Sequence, residues 1–163
     1  KGFILLRSRF QEQEMMHEAA TSVGGEGEQW RDEATEYVVT TDPTKVDFEA
    51  VHAYLTNHSY WAKGITMEVV RKAISNSLPF SVLSAKGEFA GFGRLVTDYA
   101  CVAYIADVYV DPAHRKKGLS KFLVACMLKC ERVRHIRGYI LVTRSAHGYS
   151  SAHLTTHSLT ILP

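Results

Sequence analysis

Residues 104–129 read "YIADVYVDPAHRKKGLSKFLVACMLK", and this stretch decides the fold. Its first seven residues are aromatic, β-branched or small, apart from one acid, which predicts a strand. Asp111 and Pro112 end that strand in a turn. After Gly118, the residues Leu119, Phe122, Leu123, Cys126, Met127 and Cys130 recur at the i, i+3, i+4, i+7 spacing of a single helix face. Residues 138–142, GYILV, supply another strand. Strand, helix and strand in this order predict two parallel strands joined by a right-handed crossover.

A strand that turns directly into a helix leaves backbone N–H groups pointing outward, with the positive end of the helix dipole behind them. Gly118 permits close approach of a ligand to the chain and Ser120 adds a small hydroxyl. Arg115, Lys116, Lys117 and Lys121 add positive charge, so the natural guest is a phosphate or diphosphate. A basic turn is also the ordinary makeup of a solvated surface.

Working outward, residues 37–41 (YVVTT) read as a strand closed by Asp42 and Pro43. Residues 46–55 and 66–76 each put their apolar side chains on one helical face. Residues 80–84 and 89–96, joined by Ala85-Lys86-Gly87-Glu88, read as an antiparallel hairpin. Residues 11–36 are acidic and Gly-containing, with too little apolar surface to offset ordering. The chain therefore divides into a flexible N-terminal arm, 1–36, and one folded domain, 37–163. A single core is what 163 residues support.

The opening KGFILLRSRF holds only a short apolar run, too short for a signal core or a membrane span. A formal net charge of +2 implies neither a nucleic-acid nor a membrane partner. The cations at 115–121 lack a second basic stripe with interleaved aromatics, which also argues against nucleic acid. Cys101, Cys126 and Cys130 are odd in number, and two of them fit an apolar helix face, so they read as reduced thiols of a cytoplasmic protein. Neither Cys126 with Cys130 nor His153 with His157 is read as a metal site.

The segment "VYVDPAHRKKGLSKFLV" resembles the acetyl-CoA motif of the GNAT superfamily of N-acetyltransferases, whose signature is Arg or Gln, two residues, Gly, one residue, then Gly or Ala. Arg115, Gly118 and Ser120 occupy those positions, with Ser120 standing where Gly or Ala is usual. The pieces "SYWAKGI", "GFGRLVTDYA" and "TRSAHG" are similar to one group of small acetyltransferases in that superfamily. The resemblance implies an α/β fold, with a mixed, mostly antiparallel sheet, a central parallel strand pair and helices on both faces. It implies acetyl-CoA as cosubstrate, contacted by Val108, Tyr109 and Val110 on the strand and by Arg115, Lys116, Lys117, Gly118, Leu119 and Ser120 in the loop and helix start. It also places Tyr60, Trp61, Arg94, Asp98 and Tyr99 on the acceptor side.

Acetyl transfer to an amine needs a route for the amine proton and an acid for the leaving thiolate. Strict alternation along the strand puts Ile105, Asp107 and Tyr109 on one face, with Asp107 the unusual polar residue. It could serve as general base through water, bind a substrate ammonium, or be hydrogen-bonded for structure alone. The resemblance offers Tyr149 as the acid, and His147 is the nearby alternative. Family members continue past "AHG" into Leu-Tyr and, later, a Gly-Phe pair that leads into a final hairpin. This chain instead has an atypical end, "AHGYSSAHLTTHSLTILP", from which one edge strand is expected at 158–163, its usual partner missing or rearranged.

The expected activity is direct acetyl transfer from acetyl-CoA to a primary amine of a small molecule or peptide, by a monomer or homodimer. The competing expectation is a non-catalytic acyl-CoA binding or sensing domain with a degenerate C-terminal site.

Overall fold

A computed structural model describes residues 2–8, 27–143 and 157–162. The strands are β1 (Gly2–Ser8), β2 (Gln29–Arg31), β3 (Val38–Thr40), β4 (Leu78–Leu83), β5 (Phe89–Thr97), β6 (Val102–Val110), β7 (Gly138–Thr143) and β8 (His157–Leu162). Together they form one sheet in the order β2-β3-β4-β5-β6-β7-β1-β8. Only the β6 and β7 pair is parallel; every other neighbouring pair described is antiparallel. The helices are α1 (Phe48–His58), α2 (Met67–Ser75) and α3 (Leu119–Lys129). This is the mixed, mostly antiparallel α/β sheet that the resemblance implies.

Helices α1 and α2 begin where the sequence supplies side-chain caps. Asp47 accepts a hydrogen bond from the Ala50 N–H at 2.8 Å, and Thr66 accepts one from the Val69 N–H. Each helix then buries one stripe. On one face of the sheet, Leu119, Leu123 and Met127 of α3 pack with Val39, Phe80, Val82, Leu95 and Ile105. On the other, Val51 and Leu55 of α1 and Val70 and Ile74 of α2 enclose Phe92 and Tyr109. Each such side chain, fully buried, contributes about 1.5–3 kcal/mol, so the two layers fix the sheet between them.

Two departures from regularity in β6 shape what lies beside it. Phe92 pairs with Tyr109 and Arg94 with Ala106, so β6 carries one residue more than β5 between those pairs. The extra residue forms a bulge at Asp107, which has φ 53. Because of it, Ile105 lies in the cluster under α3 and Tyr109 in the cluster under α1 and α2. The expected shared face of Ile105, Asp107 and Tyr109 is therefore corrected: alternation holds up to the bulge and inverts beyond it. Gly91 is required beside this bulge, since a Cβ there would sit 2.7 Å from the Tyr109 carbonyl oxygen. The second departure is that β6 and β7 pair only from Val102 with Gly138 to Ile105 with Leu141. Beyond Ile105 the strand pairs with β5 alone, and a cleft opens on its other side.

The boundary at residue 36 also moves. Residues 29–31 pair with β3, the Trp30 ring stacks on Phe80 with centroids 6.0 Å apart, and Glu28 accepts hydrogen bonds from Cys130 and from the Glu131 N–H. Strand pairing, one indole and one carboxylate anchor a segment whose average composition is that of an arm. Farther upstream, β1 lies between β7 and β8, antiparallel to both. The C-terminal edge strand is present as β8, but its partner is the N-terminal strand. Half of the expected arm, 9–26, lies outside the described residues.

Candidate functional site

The loop after β6 is built mainly by local bonds. Asp111 accepts from the Ala113 N–H at 2.8 Å and sets a single turn over residues 112–114. The Arg115 Nε donates to the Val110 carbonyl at 3.1 Å, and its terminal nitrogen reaches the Tyr54 hydroxyl at 3.4 Å. Lys116 and Gly118 both take left-handed conformations, φ 65 and 77, which curl the backbone into a concavity suited to anions. Gly118 is the N-cap of α3 and offers no side-chain cap, so the first-turn N–H groups face outward. A Cβ at Gly118 would meet nothing within 4 Å.

A pocket lies at this point. Its walls are Val108, Tyr109, Val110, Arg115, Lys116, Gly118, Leu119 and Ser120, with Tyr54 of α1 added. Eight of the nine residues singled out for cofactor contact thus share one cavity. Leu119 keeps its side chain in the core at 2% exposure, so only its backbone is available there. Lys117 is the exception: its Nζ donates to the Tyr37 hydroxyl at 2.8 Å. Tyr54 stacks on Tyr109 with ring centroids 3.9 Å apart and planes 7° from parallel. In the sequence Tyr54 belongs to an apolar helix stripe, and nothing there distinguishes it from core. The buried Tyr109 hydroxyl has no hydrogen-bond partner among the described residues, and burial raises its pKa.

The cleft between the diverging strands is lined by Trp61, Tyr104, Ile105, Ala106, Asp107, Val108, Ser120, Leu141 and Val142. Val108 and Ser120 belong to both cavities, so the two meet across them. Asp107 is held from two sides. Its Oδ2 accepts from Arg94 Nε at 2.7 Å, a pair whose side chains are 16% and 13% exposed, and its Oδ1 accepts from Trp61 Nε1 at 3.0 Å. Tyr60 packs edge-on against Trp61 at 4.9 Å. The bulge thus aims the carboxylate between β5 and the segment joining α1 to α2.

Asp98 and Tyr99 are not brought to this cleft. Asp98 folds the turn between β5 and β6, where the N–H groups of Ala100, Cys101 and Val102 hold its carboxyl down to about 2. Tyr99 sits at φ 60 under the Arg132 guanidinium. Tyr149 and His147 lie outside the described residues.

The acetyltransferase (GNAT) family model matches residues 75–154. A GNAT-family protein of known structure from Xanthomonas campestris pv. campestris is 36% identical; the match covers 69% of this chain and 78% of that one, with a TM-score of 0.66. A Gibberella zeae protein classed by inference as an acetyltransferase is 23% identical over 127 residues, 66% of this chain and 72% of its own length. A solved protein from Deinococcus radiodurans, 19% identical over 71% of this chain and 78% of its own, shares the fold with a TM-score of 0.53.

Proposed function

The chain belongs to the GNAT family of acetyltransferases, and from that premise we propose that it moves an acetyl group from acetyl-CoA to a primary amine of a small molecule or peptide. The observation that carries the proposal is the meeting of the two cavities at Val108 and Ser120. One offers backbone donors and cations, the other a carboxylate. The empty space over Gly118, the uncapped α3 N-terminus and the flanking Arg115 and Lys116 fit a diphosphate. Acetyl-CoA supplies the acetyl thioester.

Within this reading Arg115, Lys116 and the N–H groups of Gly118, Leu119 and Ser120 hold the diphosphate. The unpaired side of Val108, Tyr109 and Val110 offers backbone bonds to the pantetheine arm. Asp107 accepts the proton that the amine gives up as its nitrogen bonds to the acetyl carbon, and Tyr149 gives a proton to the departing sulfur. Trp61 and Arg94 keep the carboxylate at the cleft while that happens. The protein works in the cytoplasm, consistent with its free cysteines; no helix among the described residues is long and apolar enough to cross a membrane.

A second reading is acyl-CoA binding without turnover, favoured by the engagement of both Asp107 oxygens by protein donors. Calorimetry with acetyl-CoA, together with thiol release over a panel of primary amines, separates the two. Binding with release on at least one amine supports the transferase; binding with no release on any supports the sensor.

A further inference from the structure

We infer that Tyr37 is the positioning residue that holds the diphosphate loop in its binding shape, and that Lys117 is part of this clamp rather than a ligand of the phosphates. The inference rests on the acetyl-CoA reading of the loop. Tyr37 stands immediately before β3, far from the loop in sequence, and is 6% exposed in the core under α3. Its hydroxyl lies 2.8 Å from His114 Nδ1 and 2.8 Å from Lys117 Nζ. The His114 ring meets the Tyr37 ring edge-on at 5.8 Å, and the Lys117 ammonium sits 5.0 Å from the Tyr37 ring centroid. One buried phenol thus grips the chain on both sides of Arg115 and Lys116, the two cations that line the pocket.

An ammonium only donates, so the Tyr37 oxygen accepts from Lys117, while the direction of its bond with His114 Nδ1 follows the imidazole tautomer. The clamp explains the backbone between its jaws. Lys116 holds φ 65 without being glycine, a conformation that persists only where surrounding contacts over-determine it. With His114 and Lys117 tied to the same oxygen, residues 115 and 116 have little freedom to unwind. Lys117 is then satisfied by Tyr37 and does not line the pocket.

The test uses the full chain, calorimetry with acetyl-CoA, and amide hydrogen exchange without ligand. Tyr37→Phe keeps the ring and its packing but removes both hydroxyl bonds. Lys117→Met removes one jaw and leaves the core untouched. Each variant is expected to weaken acetyl-CoA about tenfold, as loss of one or two hydrogen bonds would, and to speed exchange at 114–118 while the strands stay protected. The double variant should be no weaker than the weaker single one, because both break the same clamp. If Tyr37→Phe binds as the unaltered chain does while Lys117→Met weakens binding and flattens its salt dependence, Lys117 is a direct ligand and the clamp is wrong. Unchanged exchange in both variants overturns it as well. Gly118→Leu serves as the separate control: its loss of binding alongside an unaffected Tyr37→Phe defeats the clamp alone, whereas an unaltered chain that binds no acetyl-CoA defeats the cofactor reading and the clamp with it.

Discussion

The Gly118 loop and the Asp107 cleft are neighbours, yet they are made in different ways. The loop offers mostly backbone: two left-handed residues, an uncapped helix and cations a few positions apart. The cleft offers side chains gathered from three segments, Trp61 after α1, Arg94 in β5 and Asp107 in β6. A backbone site depends first on the space over its donors staying open. A side-chain site tolerates crowding at its rim but not the loss of a single donor.

The sharpest way to break that comparison is at Gly118. Replacement by Leu should lower acetyl-CoA affinity by about a hundredfold or more, read by calorimetry, because the side chain fills the space over the anion donors. The accompanying loss of stability should stay near 1–2 kcal/mol, the cost of a side chain in the left-handed region, and a denaturant melt measures it. Asp107→Asn probes the other site. Turnover should fall by about a hundredfold to ten-thousandfold in the thiol-release assay, while acetyl-CoA affinity stays within about twofold. An equal loss of both would mean that the two regions are not separable.

Trp61→Phe should act more gently. It deletes one donor to Asp107 and leaves Arg94, so the KM for the amine should rise severalfold, in line with about 1 kcal/mol for one hydrogen bond, with kcat changed less. The smallest effect concerns the core against which α3 packs. Burial first, and for Cys130 the Glu28 carboxylate as well, pushes the Cys126 and Cys130 thiols up to about 12 from about 9. Their protonated forms therefore support the fold fully below about pH 9, and that support is lost as pH rises toward about 12. At pH 8, iodoacetamide should label exposed Cys101 alone in the native chain and all three cysteines in denaturant, as counted by mass spectrometry.

What could be read in advance follows the same division. The spacing of Leu119, Leu123 and Met127, and Gly118 just ahead of them, placed α3 and its loop, because a helix and its N-terminus are local matters. The partners of Asp107 were harder. Trp61 and Arg94 were named for the acceptor side, but their bonds to one carboxylate depend on a bulge with no mark in the residue pattern. Tyr54 and Tyr37 read as ordinary core residues, and their second duties appear only when distant segments are brought together. Trp30 was overlooked because a single indole anchors a segment that composition alone describes as unfolded.

The pairing of β1 has a consequence for how the molecule is made. Ile4 pairs with Leu141 on one side and Ile161 on the other, so β1 waits for strands that come much later in the sequence. During synthesis nearly the whole sheet can assemble before this ribbon has anywhere to go, and closing so long a loop is slow.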